Sequence, residues 1–127
     1  MASDSNGNNK KPFIGFSFAW NGLKEILRTE RNFTIHLSAA VIVTMAGIYF
    51  NVSRVEWAIL FLTFGTVMST EMINTAIERL LDYLAPDFHP QAGLVKDIAA
   101  GAVLVTAIFS VCVGIFIFSP YLLEMFR

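Results

Sequence analysis

The sequence predicts an all-α integral membrane protein, with an amphipathic surface helix at its N-terminal side followed by three transmembrane helices. Two observations carry that fold class. Of 127 residues, 55% are hydrophobic and 15% charged, with a mean hydropathy of +0.60, which is too apolar for an ordinary soluble domain and too short for two domains. The apolar residues also gather in three long runs separated by turn signals, each run close to the length that crosses a bilayer. The net charge of −1 gives no basic field for nucleic acid, so the charges inform only by position. Cys112 is the sole cysteine; it supports neither a disulfide nor a thiolate metal site, and a buried inert thiol is expected.

Residues 1–12 are polar, rich in Asn, Ser and Gly, and read as a disordered cytoplasmic lead. A cleaved signal would put an apolar core straight after the basic residues. Residues 13–127 form one membrane-embedded domain. Its surface helix, 13–30, carries Phe13, Phe16, Trp20, Leu23 and Leu27 at roughly helical spacing, with Lys24, Glu25 and Arg28 between them, so an aromatic face can meet acyl chains. Residues 29–33 break that pattern at headgroup level, and Glu30 lies there. The spans are expected at about 33–52, 55–80 and 97–119, with a tight turn at 51–54, a loop at 81–95 broken by Pro86, Pro90 and Gly93, and an end at Ser119 and Pro120. Ala99, Ala100, Gly101 and Ala102 are small enough to let helices approach closely. His36 is read as an interfacial polar residue.

Basic residues set the orientation. Lys10, Lys11, Lys24, Arg28 and Arg31 precede the first span, and Arg79 and Lys96 flank the second loop, whereas the first turn has only Arg54. The N-terminus and the second loop are therefore expected on the cytoplasmic side of a cytoplasmic (inner) membrane.

Within the second run, residues 70–78 read T-E-M-I-N-T-A-I-E. Glu71, Asn74 and Glu78 stand at i, i+3 and i+7, one narrow stripe of a helix, and Asp82 at i+11 extends it. A charged side chain deep in a bilayer costs roughly 2.5–3.5 kcal/mol even on lenient scales, so these groups need partners or a task. Interhelical hydrogen bonding is the plain alternative. Three alternating spans bring Glu30, the stripe, and Lys96 with Asp97 to the same side of the membrane. Several carboxylates and an amide can hold Mg²⁺, which favours oxygen ligands shared with nucleotide phosphates, and a lysine supplies a point charge for those phosphates. One further carboxylate as base completes a site for phosphoryl transfer from ATP to an interfacial hydroxyl. No Walker loop, kinase Gly-rich loop or H-R-D is present, so no soluble kinase fold is hidden here.

The segments T-E-R-N-F (29–33), E-M-I-N-T-A-I-E (71–78) and H-P-Q-A-G-L-V-K-D-I-A-A-G-A-V (89–103) resemble the small prokaryotic diacylglycerol kinases, a family that includes undecaprenol kinases. The resemblance implies a homotrimer of three-span protomers with sites shared between them, phosphorylating a lipid alcohol with Mg-ATP. It gives Glu71 the place of the catalytic base, Glu30 and Glu78 those of metal-binding carboxylates, and Asn74 that of a site-organising amide. Lys96 and Asp97 match the nucleotide-contacting pair, and Asp87, Phe88 and His89 match the loop near the nucleotide. Trp20 matches the surface-helix tryptophan beside the lipid substrate. Ala100 stands where the best-known diacylglycerol kinases carry a serine. That departure, with Glu56-Trp57 and the A-A-G-A-V run, looks more like the undecaprenol-kinase branch, so undecaprenol is the expected acceptor and diacylglycerol the alternative. A different class, a small transporter or a proton or cation relay, would favour carboxylates near the midplane and have little use for Lys96 and Asp97.

Overall fold

The computed structural model describes residues 12–127, with side chains from residue 15 onward. The polar lead up to residue 11 and the side chain of Phe13 lie outside the described residues. Four α-helices and no strand occur among the described residues: α1 (Pro12–Thr29), α2 (Arg31–Tyr49), α3 (Arg54–Leu84) and α4 (Pro90–Met125). The chain divides into two compact units, residues 1–30 and 31–127.

In the first unit, α1 is an 18-residue helix. The Lys24 ammonium lies 5.8 Å from the centre of the Trp20 ring, a cation–π distance. The Thr29 hydroxyl donates to the Glu25 carbonyl at 2.8 Å. Glu30 lies between α1 and α2, yet its amide still donates to the Ile26 carbonyl at 2.8 Å. The break expected over 29–33 is thus a single residue, because nothing in T-E-R-N-F removes a donor or demands a left-handed backbone.

In the second unit, α2, α3 and α4 run antiparallel in turn, joined by short connections. The α2 C-terminus closes with Asn51 at φ 52°. Its amide donates to the Ile48 carbonyl at 3.2 Å and that of Val52 to the Gly47 carbonyl at 3.1 Å, the paired bonds of a Schellman motif. Asn tolerates the left-handed conformation better than most residues. Two residues on, Ser53 caps α3: the Glu56 amide donates to Ser53 Oγ at 3.3 Å and the Ser53 amide to Glu56 Oε2 at 2.7 Å. This capping box satisfies two donors that the helix start would leave open.

Two expected breakers do not break. Pro90 occupies the first turn of α4, where its missing N–H costs no helical bond, so the expected 81–95 loop shrinks to residues 85–89 with Gly93 inside the helix. Pro120 lies within α4, which continues to Met125. The proline removes one hydrogen bond, but the next residue is anchored, as the Tyr121 hydroxyl donates to Glu56 Oε2 at 2.7 Å. Cys112, expected to be buried, is exposed on α4; from Leu104 to Phe116 the outer face of that helix is apolar, and the thiol is one more apolar group on it.

Helices α2 and α4 are long and apolar enough to cross a membrane. Their large side chains, such as Ile42, Met45, Phe109 and Phe116, mostly face outward, as lipid-exposed helices do and a soluble core does not. Hydroxyls in these helices turn back on their own backbone: Ser38 donates to the Thr34 carbonyl at 2.8 Å, Thr44 to Ala40 at 2.7 Å and Ser110 to Ala107 at 2.7 Å. That back-bonding meets the demand that polar groups in hydrocarbon be satisfied internally.

The tightest packing is at the pole of the α2–α3 turn, where Val52, Leu60 and Ile117 are buried, with Phe50, Trp57 and Tyr121 against them. A Cβ added at Gly47 would lie 2.7 Å from Trp57 Cη2. Gly47→Val should therefore overpack this pole, an effect of about 1–3 kcal/mol that exceeds the gain from removing a helical glycine. Thermal unfolding in detergent should show a lowered midpoint, restored in part when Trp57→Leu is added. A midpoint unchanged by Gly47→Val alone would show that Trp57 is free to move.

Candidate active site

Beyond Ser69 the character of α3 changes on one side only. Glu71 is 2% exposed, Asn74 8% and Thr75 3%, and these are the buried polar residues of the described chain. The helical period puts Glu71, Asn74 and Glu78 on one face, as the sequence spacing requires. Asn74 Nδ2 donates to Glu78 Oε1 at 3.0 Å, so the amide fixes one carboxylate oxygen. Its other end, Asn74 Oδ1, is a buried acceptor with no hydrogen-bond donor in reach. A buried acceptor in that state carries a desolvation cost of about 1–3 kcal/mol unless something binds it.

One turn beyond Glu78, Asp82 reaches across to α4 and forms a salt bridge with Lys96. Around this link lies a cleft of about 230 Å³ lined in part by Asp82, Asp87, Phe88, His89, Gly93 and Lys96. Its floor is the short 85–89 connection. The helices meet it in closed turns, with the Ala85 amide donating to the Leu81 carbonyl at 2.8 Å at the end of α3 and the Gly93 amide to the His89 carbonyl at 3.1 Å at the start of α4. Phe88 is 94% exposed and available to stack on a flat ligand.

Four of the five residues expected at the nucleotide, Asp87, Phe88, His89 and Lys96, therefore line one cleft. Asp97 is exposed on α4 and is not among the residues lining it. Ala100 is exposed on the same helix, next to the buried Ala99. Trp20 is about half exposed on α1, and Glu30 is half-buried at the end of the first unit, 3.5 Å from the Thr29 hydroxyl. Sequence reasoning gave no role to Thr75 or to the pairing of Asp82 with Lys96. Thr75 stands four residues from Glu71, a signal that was available; the Asp82 pairing depends on how sharply the chain turns at 85–89.

The donor set suits a hard divalent cation. Glu78 and Asn74 offer oxygen, and the open Asn74 Oδ1 is what such an ion would satisfy. No group of three His, Cys, Asp or Glu side chains able to hold a metal occurs among the described residues, so an ion here would keep waters and share phosphate oxygens, as Mg²⁺ habitually does.

The family model described as prokaryotic diacylglycerol kinase matches residues 17–118. The chain is similar to an undecaprenol kinase of Bacillus subtilis, 44% identical over 110 residues that cover 87% of this chain and 89% of that protein. It is also similar to a diacylglycerol kinase of Synechocystis sp., 38% identical over 113 residues covering 88% of this chain and 65% of that one. A diacylglycerol kinase of Escherichia coli is 27% identical over 94 residues, 74% of this chain and 77% of its own length. The match spans α2, α3 and α4 with their polar stripe and cleft, and on it the chain belongs to the prokaryotic diacylglycerol kinase family and is a membrane lipid kinase.

Proposed function

We propose that this chain transfers the terminal phosphate of ATP to a membrane lipid alcohol, undecaprenol in preference to diacylglycerol, at the cytoplasmic face of an inner membrane. The observation that supports this most is the buried Glu71 and Asn74 about two to three turns along α3 from the cleft that holds Lys96. In this reading α3 is the second span, between α2 and α4, its apolar half in the bilayer and its polar half at the interface. The protein works as a homotrimer with each site shared between protomers, the assembly the family resemblance implies.

Glu71 takes the proton as the lipid hydroxyl oxygen attacks the terminal phosphorus; the bond from that phosphorus to the bridging oxygen of ADP breaks, and ADP leaves with the electron pair. Glu78 and Glu30 would hold Mg²⁺, which when bound neutralises phosphate charge. Asn74 keeps Glu78 in place through its 3.0 Å bond. Lys96 meets the phosphates, and Asp87, Phe88, His89 and Asp97 meet the rest of the nucleotide. Trp20 and Ala100 border the lipid. The preference for undecaprenol rests on two facts. The Bacillus subtilis relative named for that substrate is 44% identical, and Ala99, Ala100 and Gly101 offer no hydroxyl to the ester carbonyls of diacylglycerol. A proton relay is less favoured because the acidic stripe of α3 leads to Asp82 and Lys96 at one pole of the bundle, with no ionisable residue of α3 between Glu56 and Glu71.

Glu71→Gln should lower turnover by about 10²- to 10⁴-fold, the usual worth of a general base, while Mg-ATP binding persists. Turnover near wild type would remove Glu71 from that role. Glu30→Ala and Glu78→Ala should each weaken Mg-nucleotide binding and recover in part at higher Mg²⁺; a Mg²⁺ titration superimposing on wild type in both would make them structural carboxylates. Side-by-side assays in one detergent should give undecaprenol the higher kcat/KM by roughly 10-fold or more, the range apolar pocket contacts provide. A clear preference for diacylglycerol would return the chain to the other branch.

A further inference from the structure

The salt bridge between Asp82 and Lys96 joins α3 to α4 at the mouth of the cleft, between residues 14 positions apart in sequence. Asp82 follows Glu78 by one turn on the same face of α3, so it stands where the carboxylate stripe meets the cleft. The Lys96 side chain is 35% exposed and that of Asp82 67%, so the lysine is the more covered partner of the two. We propose that Asp82 is a positioning residue: it holds the Lys96 ammonium across the cleft so that the phosphates of a nucleotide meet a cation already in place. This rests on the nucleotide reading of the cleft.

Three features support a positioning role over a purely structural one. Exposed ion pairs contribute little to stability, and the helix ends on either side of the 85–89 connection are closed without this pair, by the Ala85 and Gly93 amides and by Pro90 at the start of α4. Lysine carries its charge on a flexible four-carbon stem with three donors. Asp82 occupies one donor and leaves two for phosphate oxygens. Asp87 also lines the cleft, yet Lys96 is paired with Asp82, so the ammonium is drawn toward the stripe that carries Glu78 and Glu71 and away from the loop.

The test uses the full-length protein in detergent with a saturating lipid alcohol, and reads the KM for ATP, kcat, binding of a fluorescent ATP analogue and the unfolding midpoint. Asp82→Asn should raise the KM for ATP and weaken analogue binding roughly 3- to 10-fold, the range expected when one long side chain must be ordered on binding. Its kcat should change less than about 2-fold and its unfolding midpoint should stay at the wild-type value. Asp82→Glu should recover part of the affinity, and in a Lys96→Met background Asp82→Asn should add nothing. Wild-type nucleotide affinity in Asp82→Asn, an equal effect with and without Lys96, or a fall in kcat that tracks a lowered midpoint would each overturn the inference. A wild-type protein that binds no ATP analogue would overturn the nucleotide reading and this inference with it.

Discussion

An ionisable side chain buried on a largely apolar helix is costly, and the organisation of this chain follows from where α3 carries its own. Glu71 is almost fully buried just past a largely apolar stretch of fifteen residues, 55–69, whose one charged residue is Glu56 at its far end. Such a group persists when it is hydrogen-bonded, paired or used. Asn74 and Thr75 are buried beside it, and Asn74 binds Glu78. The same face then leads to Asp82, Lys96 and the cleft. The polar groups thus form a graded series, from a buried carboxylate through a bonded amide and carboxylate pair to an exposed ion pair. Such a gradient suits the proposed reaction between a lipid hydroxyl and a soluble nucleotide.

The opposite pole does a different job. The Schellman turn at Asn51, the Ser53 and Glu56 capping box, and the Tyr121 hydroxyl on Glu56 tie all three helices of the second unit together there. Gly47 gives up a side chain so that Trp57 can lie against α2. Fixing one end sets the relative register of α3 and α4 along their whole length, and that register decides whether Asp82 and Lys96 face each other many turns away. Local caps worth about 1 kcal/mol each therefore bear on the geometry of a distant cleft.

Much of this was legible in the sequence because helical periodicity is a strong signal. The stripe of Glu71, Asn74 and Glu78, the turn at 51–54 and the apolar character of α2 and α4 follow from spacing and composition alone. Helix ends were not legible to the same degree. Pro90 and Pro120 read as breakers, yet one sits where a missing N–H costs nothing and the other is offset by a contact between Tyr121 and Glu56, residues 65 apart in sequence. The 85–89 connection consequently came out shorter than the composition of 81–95 implies, and it is this tight turn that brings Asp82 to Lys96. Pairings across helices depend on register, which periodicity within one helix does not contain. Asp97 shows the same limit: adjacent to Lys96 in sequence, it is not among the residues lining the cleft of one chain, because successive helical residues lie about 100° apart.

The central claim is that the stripe on α3 exists for phosphoryl transfer and not as glue between helices. Replacing buried ionic groups by apolar ones of similar size is commonly neutral or stabilising when they serve catalysis and not the fold. The most direct measurement is therefore made on Glu71→Leu, pairing its unfolding midpoint with the transfer of label from radiolabelled ATP to lipid alcohol. The account expects a midpoint equal to or above that of the wild-type protein with no label in the lipid. A lowered midpoint together with label transfer at the wild-type rate would contradict it.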